Sequence, residues 1–354
     1  MSSNSSTASI EGPQGLSFFT KTWTPPQGTA TVATVCFVHG LSFWALQHSP
    51  SSIVTDFDVS ISHASFVEHL RRYDHVFDRF AQQGLAVFAY DQRGFGQTAV
   101  DLGGNNQGVT SWPQQLADLA FFVDHASKLN PDKPLFLYGH SMGGGLALAF
   151  PTRVPPSVGV EKIKGVIAGS PLIEQSPGVK ASGIVVTLGG LVGKLSGSLT
   201  MPVQVKPEDV SRDPEVAKIY AADPLCKQQG SFRGLSDMLK GGEALLNKDY
   251  KNWPKDLPLL VIHGEDDKVS PPNNSNSRLI SRADPARVND SLQVTWCESS
   301  KKFVEKVQKA GGNAEYKGYP GFYVSLSLDR DAGKSNESDL PPLPIYVWGH
   351  VTLT

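Results

Sequence analysis

Short apolar runs alternate with longer amphipathic stretches along most of the chain. Residues 17–23 (SFFTKTW) and 31–38 (TVATVCFV) are rich in β-branched and aromatic side chains, and Pro25, Pro26 and Gly28 mark the turn between them. Residues 68–83 place Leu70, Tyr73, Val76, Phe77 and Phe80 on one helical face, and Gly84 ends the run. A strand follows at 85–90. A second helix is predicted at 112–129 through Leu116, Leu119, Phe122 and Val123. Further strands are predicted at 135–138, 163–168, 257–263 and 313–319, and further helices at 230–246 and 297–310. Strands alternating with helices predict an α/β architecture on a mostly parallel sheet.

Five stretches break this pattern. Residues 1–15 are polar and are expected to be disordered. Residues 42–67 are serine-rich and carry neither a period of two nor of 3.6. More than 80 residues separate the strand at 163–168 from that at 257–263. That is too long for a loop, so a cap is expected at about 172–229, before the strand that ends at His263. Within it, 184–199 is apolar and interrupted by glycines, which suits a segment covering a pocket or an interface. Residues 270–294 again lack a period, and the tail at 324–354 is polar and contains PPLP. One domain at 16–323 accounts for the patterned part.

Composition narrows the function classes. The chain of 354 residues is 40% hydrophobic and 19% charged, with a formal charge of −2. Nothing in that balance points to nucleic acid. Three widely spaced cysteines form neither a disulfide framework nor a zinc pattern. The first residues have no apolar core of a secretory leader, and no run of 18 apolar residues occurs, so a cytoplasmic chain is expected. No metal or organic cofactor is expected. There is no ligand-spaced His/Cys cluster or Walker motif, and RGFG at 93–96 lacks the third glycine of a dinucleotide fingerprint.

The chemistry centres on residues 135–150, LFLYGHSMGGGLALAF. Gly139-His140-Ser141-Met142-Gly143 is G-x-S-x-G between a predicted strand and a predicted helix, the context of a nucleophile elbow. The glycines permit a sharp turn, and the helix that follows directs its N-terminal N–H groups and positive dipole end at Ser141. His39-Gly40-Leu41 ends an early strand. In an α/β hydrolase such a turn supplies one oxyanion-hole N–H, here that of Leu41. The acidic turn 264–269 (GEDDKV) follows a late strand, where the carboxylate of a Ser…Asp…His order would come.

Taken together, FVHGL, EHLRRYDHVFDRFAQQGLAVFAYDQRGFGQT, LYGHSMGGGLAL, AGSPLI, ADPL, VIHGEDDKV and ESSKKFVEKVQKAGGNAEYKGYPGFY resemble the monoacylglycerol lipase-like α/β hydrolases of serine aminopeptidase S33 type, most of all the fungal members. The matches run in order from Ser17 to Tyr323 with two interruptions. The resemblance implies an α/β-hydrolase fold with a cap, Ser141 as nucleophile and Asp267 as triad acid. It also implies oxyanion donors at the N–H groups of Leu41 and Met142. It further implies a serine esterase acting through an acyl-enzyme on a monoglyceride or other small lipid ester, at a membrane or lipid-droplet surface. Lysophospholipases, other carboxylesterases and aminopeptidase-like hydrolases share this scaffold, as would a non-catalytic lipid-binding relative.

Three departures from the family pattern stand out. Residues 42–67 separate Leu41 from the helix that the family joins to it directly. Residues 270–294 separate the acidic turn from the next helix. After Tyr323 the family's catalytic histidine and closing helix are absent. Of the nine histidines, His350 alone follows Asp267, 27 residues beyond Tyr323. It is the remaining candidate base that keeps the chain order. All three departures start abruptly inside good matches and lack core patterning, so we read them as unspliced introns or gene-model errors, the alternative being genuine lineage-specific loops and a divergent tail. Transcript reads are expected to skip codons 42–67 and 270–294 and to diverge after Tyr323. Reads that traverse all three as written would overturn this reading.

Overall fold

The computed structural model describes residues 4–40, 69–104, 106–175, 183–202, 218, 222–225, 229–265 and 295–319. Leu41, Asp267 and His350 lie outside them, as do the atypical segments 42–67, 270–294 and 324–354.

In chain order the elements are β1 (Asn4–Glu11), β2 (Ser17–Thr24), β3 (Ala33–Val38), α1 (Asp74–Gln82), β4 (Leu85–Tyr90), α2 (Gly96–Asp101), α3 (Trp112–Leu129), β5 (Leu135–His140) and α4 (Met142–Ala149). Then come β6 (Ile163–Gly169), α5 (Gly183–Leu195), β7 (Thr200–Pro202), β8 (Gln229–Ser231), α6 (Phe232–Asn247), β9 (Leu259–Gly264), α7 (Cys297–Lys309) and β10 (Ala314–Tyr319). Eight strands form one sheet in the order β1-β2-β4-β3-β5-β6-β9-β10, and β7 pairs with β8 separately. The β1–β2 and β2–β4 pairs are antiparallel; every pair from β4 to β10 is parallel. This is the α/β-hydrolase sheet the sequence predicted.

The central strands β3, β4 and β5 are buried along their whole length. A strand covered on both faces has no polar side to alternate with, hence the continuous apolar runs ATVCFV, LAVFAY and LFLY. On one face α1 presents Val76, Phe77, Phe80 and Ala81. Phe77 lies 4.7 Å from Phe37 and 4.9 Å from Trp23, ring centre to ring centre. On the other face α3, α4, α6 and α7 close over Phe88, Leu119, Phe122, Leu146 and Phe303. Each such side chain contributes about 1.5–3 kcal/mol by leaving water.

The N-terminus corrects one expectation. Residues 1–15 were expected to be disordered, yet Asn4–Glu11 is a strand in continuous register with β2, followed by a single 3-10 turn at Pro13–Gly15. An edge strand gains its hydrogen bonds from the backbone and needs no apolar face. Its side chains are almost all exposed, so hydropathy carries no trace of it. The helix expected from residue 68 begins instead with a 3-10 turn at Leu70–Tyr73. Helix α2, six residues long, was not expected.

Within the cap, α5 covers the glycine-interrupted apolar stretch, and its Gly190 and Gly193 lie against Ser236 and Arg233 of α6. A Cβ at Gly193 would sit 2.5 Å from the backbone nitrogen of Arg233, so only glycine permits this approach. No helix among the described residues is long and apolar enough to cross a membrane.

Candidate active site

The sheet order puts β3 and β5 side by side, so the His39-Gly40 turn and the Ser141 turn leave the sheet together. Ser141 has φ 53° and ψ −117°, a strained conformation for a residue with a Cβ. Three backbone hydrogen bonds hold it there. Its N–H donates to Gly169 O at 2.9 Å, and its carbonyl accepts from Leu172 N at 2.9 Å and from Gly145 N at 3.0 Å. The segment Gly169–Leu172 therefore straps both ends of the Ser141 peptide.

The flanking glycines are required by contact. A Cβ at Gly139 would lie 2.1 Å from Gly143 O, and one at Gly143 would lie 2.1 Å from Val38 O and 2.4 Å from His39 O. No side chain fits there. α4 starts at Met142 directly behind Ser141, so its N-terminal amides and dipole face the serine. The turn has the sharp strand–turn–helix geometry that the motif predicted. Of the two residues expected as oxyanion donors, Met142 is buried beside the elbow, whereas Leu41 follows Gly40 outside the described residues.

The described histidines near the elbow are all committed elsewhere. His39 Nε2 accepts from Gln92 N at 2.9 Å, which leaves Nδ1–H to donate to Gly40 O at 3.0 Å. His140 Nδ1 lies 2.8 Å from the Tyr73 hydroxyl, within the aromatic cluster on the α1 face. His263 is fully buried at the end of β9, with Nδ1 at 3.0 Å from Ser300 Oγ and Nε2 at 3.3 Å from Thr295 Oγ1. Burial pulls its pKa down to about 3, helped by the charges of His140 and Lys301 and opposed by a hydrogen bond at Thr295. It therefore sits neutral between the strand ends. His125 packs on Phe88, away from β5, and burial lowers its pKa.

His69 Nε2 forms a 2.7 Å pair with Asp223 Oδ2 in the ADPL segment of the cap. Burial works against the Asp223 carboxylate. The hydrogen bond from His69 and the charges of His69 and Arg72 more than offset that and hold its pKa below the usual carboxylate range. The pair ties cap to body. Sequence reasoning placed His69 on a helix and gave Asp223 no role. It also passed over the strap at Gly169–Leu172, although AGSPLI was among the matched segments.

Comparison with known proteins agrees with this geometry. The family described as serine aminopeptidase, S33, matches residues 59–331. An abhydrolase domain-containing protein of Dictyostelium discoideum is 34% identical over 255 residues, covering 72% of this chain and 23% of that protein. The monoacylglycerol lipase of Mycolicibacterium smegmatis is 31% identical over 230 residues, covering 64% of this chain and 74% of that one. The chain thus spans about a quarter of the first relative's length and about three quarters of the second's. A soluble variant of the Saccharomyces cerevisiae monoglyceride lipase, solved with a substrate analogue, superposes with a TM-score of 0.68 at 23% identity. That superposition covers 94% of this chain and 91% of that one, which fixes the fold.

Neutral His263 has a consequence for stability. Its folded pKa lies below the ordinary value of 6.5, so between about 6.5 and about 3 the unfolded chain binds a proton that the folded chain refuses. Its stabilising contribution is complete above that range and falls with pH by ~1.4 kcal/mol per unit. In urea unfolding at about pH 7 and about pH 5, His263→Gln is expected to lose roughly 2 kcal/mol less than the parent chain. Equal losses would mean that His263 titrates normally in the folded state.

Proposed function

Because the chain belongs to the serine aminopeptidase S33 family, we propose that it is a serine ester hydrolase of monoacylglycerol lipase type, built to release fatty acid and glycerol through an acyl-Ser141 intermediate. The elbow carries the reading. A strained serine, strapped at both peptide ends and backed by a helix N-terminus, is the arrangement acyl transfer needs.

In this reading a base takes the Ser141 proton as Oγ attacks the ester carbonyl. The N–H groups of Leu41 and Met142 hold the oxyanion, each worth on the order of 3 kcal/mol. The base returns the proton to the leaving glycerol oxygen. Water then attacks the acyl-serine, and fatty acid leaves. Asp267 orients the base.

The base is the weak member. His39 and His263 have both ring nitrogens engaged and His140 has its Nδ1 on Tyr73, which leaves His350 as the candidate that keeps the triad order. The proposal therefore includes a nearly inactive chain as written, and the engaged histidines favour a lipid-binding relative as the second reading.

The cap supplies the approach to lipid. On α5 and just beyond it, Leu191, Val192, Leu195 and Leu199 are exposed, Leu195 to 85%. A row of exposed leucines beside a lipid-ester site fits docking on a membrane or lipid-droplet surface, with the helix lying in the interface.

Two measurements test these statements. The chain as written is expected to hydrolyse p-nitrophenyl esters and monoolein on the order of 10⁶-fold more slowly than a family member with its histidine. Replacing residues 324–354 with a histidine-bearing family closing segment should restore turnover that Ser141→Ala abolishes. No restoration, or turnover indifferent to Ser141→Ala, would reject the hydrolase reading. In flotation with phosphatidylcholine vesicles, Leu191→Ser together with Leu195→Ser should cut the bound fraction severalfold, and unchanged binding would reject docking through α5.

A further inference from the structure

The polar turn after β4, Asp91-Gln92-Arg93-Gly94-Phe95-Gly96, has no part in the chemistry so far. Each of its first three side chains is nevertheless buried or half-buried and tied down. Asp91 accepts from Leu70 N at 2.8 Å and from Gln97 N at 2.7 Å. Arg93 forms a bidentate pair with Asp118 of α3 at 2.8 and 3.0 Å. Gln92 reaches the other way, toward the end of β3.

Gln92 holds the His39-Gly40 turn twice. Its backbone N–H donates to His39 Nε2 at 2.9 Å, and its side-chain Nε2 donates to His39 O at 2.7 Å. The first bond fixes the ring tautomer, so that Nδ1–H donates to Gly40 O. The carbonyl and the ring on either side of the turn are thus set by one residue. Gln92 Oε1 in turn accepts from Gln115 Nε2 at 2.9 Å, and the same Nε2 lies 3.6 Å from Met142 Sδ. Both glutamines are 1% exposed. Gln115 Oε1 has no partner among the described residues. An apolar side chain on α3 would avoid that cost, so helix propensity and packing alone do not account for a glutamine here.

We propose that Gln92 and Gln115 are positioning residues: a buried amide bridge that orients the His39-Gly40 turn against the elbow at Met142, and with it the oxyanion site. The inference rests on the oxyanion reading proposed above. Both side chains are buried and act through the turns that they hold. The contact of Gly143 with Val38 O and His39 O sets how closely the two turns approach. The bridge sets how they are oriented, because hydrogen bonds are directional and van der Waals contact is not.

The full chain tests it even without an efficient base. An enzyme that has lost a triad member keeps roughly 10³–10⁴-fold catalysis over water, and that remainder comes from the oxyanion site and binding. The readout is kcat and KM for residual p-nitrophenyl butyrate hydrolysis. Gln92→Leu and Gln115→Leu are expected to lower kcat about tenfold to a hundredfold with KM unchanged, less than outright loss of a donor. Gln92→Glu supplies a second test in case the leucine variants fold poorly. Ionised, the new carboxylate confronts His39 O with two acceptors; protonated, it can donate as the amide did. Its kcat should therefore rise as pH falls through the titration of that buried carboxyl, a limb absent from the parent chain and from Gln92→Leu. Parent activity above the buffer rate, with kcat unchanged in the leucine variants and no acid limb in Gln92→Glu, would overturn the bridge while leaving the hydrolase reading in place. Parent activity equal to the buffer rate would instead remove the oxyanion reading beneath it.

Discussion

The site depends on two parallel strands ending so close together that no side chain fits between them. Val38 O and His39 O at the end of β3 press on Gly143, and Gly139 presses on the carbonyl of the same residue. That contact turns an ordinary strand-to-helix connection into an elbow. It also forces Ser141 into φ 53°, at a cost of about 1–3 kcal/mol. Three backbone hydrogen bonds hold the residue there, and at ~0.5–1.5 kcal/mol net apiece they roughly balance the strain. The conformation persists because β3, β5 and the Gly169–Leu172 strap all impose it. Removing one would shift the balance by about one bond, whereas a side chain at Gly143 would break the contact itself.

The cap is held to the body by two unlike connections. At its C-terminal side β8 is zipped to the loop before α3: Ser231 N donates to Gly108 O, and Ser231 Oγ donates to Thr110 O. Gly108, at φ 76°, lies so close to Gln229 O that a Cβ would come within 2.3 Å. That joint is steric and backbone-made. The other connection is the 2.7 Å His69–Asp223 pair, made by two side chains. Between them α5 rests on α6 through glycines and turns Leu191 and Leu195 outward. A helix whose apolar face points away from the core gains nothing from that face in water.

How much of this could be read from the sequence follows from what each feature needs. Strands buried on both faces announce themselves as apolar runs, so β3, β4, β5, β6 and β9 were legible nearly to the residue. The amphipathic helices α1, α3, α6 and α7 carried their period. β1 did not, because its partner is a backbone and its side chains face water. The elbow was legible because the contact at Gly143 excludes every other residue type. Gln92 and Gln115 were not, because a glutamine in a polar turn and one on a helix give no sign that they meet 23 positions apart. Buried amide pairs are a property of topology, and only the adjacency of β4, β3 and β5 brings these two together.

The same distinction explains why the two halves of the proposed chemistry fare so differently. Oxyanion stabilisation would draw on backbone amides, and the described one, that of Met142, is placed by strand order, glycine contacts and the hydrogen bonds around Ser141. It survives as long as β3 and β5 stay in register. Proton transfer needs one imidazole with a free nitrogen, at hydrogen-bond distance from Ser141 Oγ. Burial works against recruiting a substitute. His39, His140 and His263 sit close enough to the strand ends to be buried, and a buried ring nitrogen must find a partner. Those partners are Gln92, Gly40, Tyr73, Ser300 and Thr295. Among the described residues, a histidine near the elbow is therefore one that the fold has already used. The base has to arrive from a segment outside the packed sheet, and a change confined to the sequence after Tyr323 can silence proton transfer while leaving the elbow intact.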